Sequence, residues 1–99
     1  MADEAAEFRV FLERNLARLS DLAAEWTSRL SAHDRDWLTV TALNIAFERR
    51  KQFDPRRVSI VRWFEGCMQA AADRRPTWEI ITCTGWVVVP AHKLRQRKH

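Results

Sequence analysis

The hydrophobic period changes once along this chain, and where it changes limits what the chain can fold into. Up to Asp73 the apolar residues recur every three to four positions, the spacing of amphipathic helices. From Ile80 to Val89, in the run IITCTGWVVV, β-branched residues dominate around a Thr84-Gly85 pair, the pattern of strand, tight turn and strand. The expected fold is therefore mainly α with a C-terminal β-hairpin, an α+β arrangement. A chain of 99 residues, 46% of them apolar, can fill one core but not two, so residues 1–90 are expected as a single globular domain and 91–99 as a basic tail.

Leu12, Leu16, Leu19, Ala23, Trp26 and Leu30 alternate by four and three, which predicts one long helix over residues 3–31 with Arg14, Asp21 and Ser28 opposite its apolar seam. Phe8, Phe11 and Leu22 widen the stripe. The seam can pack on its own domain or pair with a second copy, and Leu12, Leu16, Leu19 and Trp26 are the candidate contacts of such a homodimer. SAHDRD interrupts the pattern, with Asp34 or Asp36 as the cap of a second helix over 37–51. Its apolar residues fall on two sides, Leu38, Ala42, Ile45 and Ala46 against Val40, Leu43 and Phe47, leaving Thr41, Asn44 and Glu48 for solvent. Asp54 as N-cap and Pro55 in the first turn predict a third helix over 55–73. That helix would bury Ile60, Val61, Phe64, Cys67, Met68 and Ala71 and turn Ser59, Arg62, Gly66, Gln69 and Asp73 outward. Residues 78–90 form the hairpin. With Thr84-Gly85 as its loop, Cys83 faces Trp86 and Ile81 faces Val88 on one side, with Ile80, Thr82, Val87 and Val89 on the other. One face must pack on the helices, because a lone hairpin is marginal in water.

Charge divides unevenly. Residues 1–36 carry five Arg against eight acids, net −3, and residues 37–99 carry twelve Lys or Arg against five acids, net +7. The second part therefore calls for an acidic partner, of which nucleic acid is the commonest. Gly66 and Gly85 are the only glycines, which leaves no glycine-rich phosphate loop. No apolar run approaches the roughly 18 residues of a membrane span, and MADEAAE is unlike a signal peptide, so the expected location is cytoplasmic, with no membrane partner. Cys67 and Cys83 are accordingly expected as reduced thiols. No CxxC or HxxxH spacing joins them to His33 or His92, and neither metal nor cofactor is expected. His33 beside Asp34 and Asp36 has no second catalytic group placed by spacing, and neither cysteine has cationic surroundings, so no catalysis is expected.

Helix, short turn, helix, hairpin is the order of a winged helix-turn-helix. DPRRV, the helix with Val61, Phe64 and Met68, and IITCTGWVVV lie within roughly residues 37–90. They resemble the recognition helix and wing of OmpR/PhoB-type response-regulator effector domains, which pair a D-x-R-x-V helix start with a terminal T-x-x-G-[YW] hairpin. Asp54, Arg56, Val58, Thr82, Gly85 and Trp86 are the matching positions. The resemblance implies a non-catalytic transcriptional regulator whose third helix enters duplex DNA. On this reading Arg62 and Gln69 offer donors to base edges, Arg56 and Ser59 hold phosphates, and Lys93, Arg95, Arg97 and Lys98 add sequence-independent attraction. A long helix stands where that family has N-terminal strands, and Phe64-Glu65-Gly66-Cys67-Met68 replaces its basic L-R-x-K run.

Glu65 and Asp73 repel phosphate, and the first helix is acidic. These favour a second class, a protein-binding module such as a small phage- or plasmid-type inhibitor or adaptor, with Trp63 and the first helix as its contacts. A continuous positive surface around the third helix and hairpin would favour DNA, and an interrupted one a protein partner.

Overall fold

The computed structural model describes residues 4–94. In order these form α1 (Glu4–Arg14), α2 (Leu16–Thr27), α3 (Ala32–Glu48), α4 (Ile60–Ala72), β1 (Thr77–Thr82) and β2 (Gly85–Pro90), with 3-10 turns at Arg50–Gln52 and Ala91–Lys93. The chain is mainly helical and ends in an antiparallel two-stranded hairpin, as its periodicity predicts. Among the described residues no helix is long and apolar enough to cross a membrane.

The expected long helix is two helices, broken at Asn15. The Asn15 side-chain amide donates to the Phe11 carbonyl at 2.9 Å, and the Asn15 backbone N–H falls back on Leu12 O at 3.1 Å. In an uninterrupted helix that N–H would itself bond Phe11 O, so the side chain displaces its own backbone. α3 also starts earlier than expected. Ser31, not Asp34 or Asp36, is its N-cap, accepting from Asp34 N at 3.2 Å. Burial on α3 differs too: Val40 is 56% exposed whereas Thr41 is buried, and of the second apolar side only Leu43 and Phe47 pack, Leu43 against the core and Phe47 against Phe8. α4 starts later. Asp54 accepts from Arg56 N, but the chain only turns at residues 55–58 before Ser59, extended at ψ 154, caps the helix through Arg62 N.

α3 and α4 pack antiparallel at the centre, with the end of α4 returning to the start of α3, where Arg75 Nη1 donates to Asp34 Oδ1 at 3.0 Å. Leu38, Ala42, Ile45 and Ala46 of α3 meet Phe64, Cys67, Met68 and Ala71 of α4, and α2 adds Leu19, Leu22, Ala23 and Trp26. The α4 face is largely the one its periodicity predicts, with Val61 only half-buried and Ala72 added.

Trp78 docks the hairpin on this core. It is 1% exposed, its indole N–H donates to Ala72 O at 2.9 Å, its ring lies 5.6 Å from Trp37, and the Arg75 guanidinium covers it at 4.0 Å. A large aromatic buries much apolar surface, Ile80 and Ala91 add to it in the core, and the indole N–H is satisfied. Strand pairing runs from Thr77 opposite Pro90 to Thr82 opposite Gly85, so the loop is Cys83-Thr84 rather than Thr84-Gly85. Gly85 opens β2 at φ +125, a conformation that a side chain would strain. Ile81 consequently faces Trp86, and Val88 faces Glu79. The shift moves the pairing by two positions in total, an even number, so each side chain keeps its expected face.

Candidate nucleic-acid interface and hairpin face

Eleven residues, 49–59, separate α3 from α4, against the roughly three to four of a helix-turn-helix connection. They form the 3-10 turn and then a second turn closed by Arg57 N and Val58 N on Asp54 O. Residues 49–62 hold six cations, Arg49, Arg50, Lys51, Arg56, Arg57 and Arg62, against one acid, Asp54. Arg50 lies 3.6 Å from Glu4 and stacks over Phe47, and Arg57 lies 3.8 Å from Asp54. Arg49, Lys51, Arg56, Arg57 and Arg62 are all exposed.

An aromatic cluster supports this basic connection from below. Phe53 lies 5.0 Å from Trp63 and 5.5 Å from Phe11, and Phe8 sits edge-on to Trp63 and to Phe47 at 6.0 and 6.3 Å. The cluster fixes α1 against the connection. Trp63, a predicted interface residue, is thus half-buried and packs within its own chain.

The outward face of α4 is less suited to base reading than its sequence suggests. Ser59 Oγ accepts from Arg62 N as the N-cap, and Gln69 Nε2 donates to Asp73 Oδ1 at 2.9 Å. Beside them runs an open groove of about 720 Å³ between α2 and α4, with Arg62 flanked by Glu25 and Glu65. The positive surface is therefore interrupted along α4 and concentrated at its N-terminal end. Lys93 is exposed in the turn after β2, and Arg95, Arg97 and Lys98 lie outside the described residues.

Of the predicted contacts on the first helix, Leu19 is 2% and Trp26 6% exposed, and both belong to the core. They are not available to a second copy. Leu12 is half-buried, and Leu16, just beyond the break at Asn15, is 52% exposed.

At the other end of α3, whose 17 residues span about 25 Å, the hairpin presents an apolar outer face. Ile81, Trp86 and Val88 are 47, 57 and 61% exposed, and the only charge on either strand is Glu79. Sequence reasoning separated the two faces but not which of them packs. The missed signal was Trp78, which shares a face with Ile80 and carries that face into the core, leaving Trp86 outside.

Both cysteines are free. Burial on the core face of α4 pushes the Cys67 thiol up to about 11, with Arg49 pulling it partly back, so at neutral pH it is a protonated packing residue. Cys83 is exposed in the hairpin turn.

No family model, no curated protein and no solved structure matches this chain. Its surfaces alone carry the functional reading.

Proposed function

We propose that this protein is a non-catalytic nucleic-acid-binding protein that holds the phosphate backbone with the basic connection between α3 and α4. The observation that carries this reading is the gathering of Arg49, Lys51, Arg56, Arg57 and Arg62, all exposed, at one end of the molecule. The contact is expected to be mostly sequence-independent, since Gln69 is engaged within α4 and only Arg62 of the predicted base readers opens on the surface. The hairpin contributes no cation, and it lies across the length of α3 from the connection, so it does not act as a phosphate-gripping wing for this surface. The protein would work in the cytoplasm, where its thiols stay reduced.

A salt titration of binding to labelled duplex DNA tests this. Five phosphate contacts give a log–log slope of about −4 to −5. Absence of binding at low salt ends the reading.

The outer hairpin face supports a second reading, contact with a protein. Trp86, Ile81 and Val88 form an exposed apolar patch with an aromatic at its centre, the composition of an interface anchor. Under this reading Trp86→Ala abolishes partner binding and leaves DNA affinity unchanged.

A further inference from the structure

Two hydrogen bonds fix the direction of every peptide group in the hairpin. Ala91 N donates to Pro76 O at 3.1 Å, which makes these two a hydrogen-bonded pair in register with the strands. Such pairs alternate along an antiparallel ladder, so Trp78–Val89, Ile80–Val87 and Thr82–Gly85 are bonded pairs as well. Ile81 N donates to Arg29 O at 2.7 Å, away from β2, which gives the same phase from the opposite edge. Trp86 and Val88 therefore point their N–H and C=O groups out of the free edge of β2. Pro90 points outward too, where its missing N–H leaves the ladder intact. Among the described residues no backbone hydrogen bond from another element reaches that edge, whereas Arg29 covers the β1 edge at Ile81.

Free edges are usually blunted by charge, and β2 carries none from Gly85 to Pro90. We infer that this edge joins two copies of the chain, β2 against β2, antiparallel about a two-fold axis at Val87, in a four-stranded sheet. In this register Trp86 lies opposite Val88 of the second copy, and every outward N–H and C=O of both residues is paired. Their side chains meet as an aromatic–β-branched cross-strand pair on the outer face. A second copy fits because the edge is its own complement. It is bounded by the turn at Cys83-Thr84 and by Pro90, it is symmetric about Val87, and it brings no like charges together. The basic connections stay about 25 Å away at the far end of each α3, beyond the roughly 8–10 Å over which exposed charges act at ordinary salt. This contact replaces the first-helix seam, whose Leu19 and Trp26 are in the core, and it stands independently of nucleic-acid binding.

Amide hydrogen exchange of the full chain at micromolar and at millimolar concentration tests it. The Trp86 and Val88 amides should exchange freely when dilute and become protected when concentrated, while Val87 and Val89 are protected throughout. A nitroxide on Cys83, the exposed thiol, reads the register: roughly eight strand residues separate the two labelled positions, about 27 Å. Val88→Pro removes an N–H that the hairpin does not use, so it should keep the circular dichroism of the parent and weaken the dimer by about tenfold or more. Val88→Thr should leave the dimer intact. Equal exchange of Trp86 and Val88 at both concentrations, undiminished dimerisation of folded Val88→Pro, or a dimer with the labels at another separation overturns the inference.

Discussion

The two ends of α3 solve the same packing problem with aromatic residues and then expose opposite chemistries. At the C-terminal end, Phe8, Phe11, Phe47, Phe53 and Trp63 hold a connection that presents five cations to solvent. At the N-terminal end, Trp37 and Trp78 with Arg75 hold a hairpin that presents Ile81, Trp86 and Val88 and a single acid. The supporting layer is similar in kind, so it does not decide what each end binds. The surface layer does. Long-range attraction to phosphate belongs to the first end, and short-range apolar and backbone contact to the second.

The two faces of the hairpin differ most at its tryptophans. Trp78→Ala removes a fully buried indole and leaves Ala72 O without its donor, and should cost about 3–5 kcal/mol, a large part of the stability of a domain this size. Trp86→Ala, on the same hairpin but 57% exposed, should stay within about 0.5 kcal/mol of the parent. Urea unfolding of both variants checks the contrast, and equal losses would mean that the outer face is packed after all.

α4 links the two ends. The Cys67 thiol has its folded pKa raised from 9.0 to about 11 by burial, so only the unfolded chain ionises between those values. Its contribution is therefore fully present below pH 9 and is lost as pH rises toward 11, by an amount on the order of 2–3 kcal/mol. Unfolding curves across this window should fall more steeply for the parent than for Cys67→Ala. Parallel curves would refute the assignment.

A smaller effect is expected at Gly66, on the outward face of α4. A Cβ there meets nothing within 4 Å, and alanine is the better helix former, so Gly66→Ala should stabilise by about 1 kcal/mol and raise the melting temperature by about 4–8 °C. If DNA affinity falls at the same time, the groove between α2 and α4 takes part in binding along with the connection.

What could be read from the sequence followed from periodicity, and what could not followed from side chains competing for backbone. The hairpin, its two faces and most of the buried side of α4 were legible, because alternation and helical spacing report burial directly. The break at Asn15 was not, because the apolar seam keeps its phase from Leu12 through Leu16 to Leu19 while the Asn15 amide takes the Phe11 carbonyl. The start of α4 was misplaced for a related reason. Asp54 and Ser59 both cap backbone N–H groups, and the sequence does not rank them, although only Ser59 opens the helix. The cations of the connection were visible as ERRK and DPRRV, but a helix drawn to 51 and another from 55 placed them on separate elements, and only Arg56 and Arg62 stood out. The real connection, eleven residues folded into turns, gathers them.

The claim that binding charge sits at the connection and not at the hairpin is tested most directly by the salt dependence of DNA affinity in two variants. Arg56→Gln with Arg57→Gln should reduce the slope of log K against log salt by about two units, since each lost phosphate contact removes about one. Glu79→Gln, which changes the only charge on the hairpin strands, should leave the slope as it is. An unchanged slope in the double variant, or a changed one in Glu79→Gln, would contradict the account.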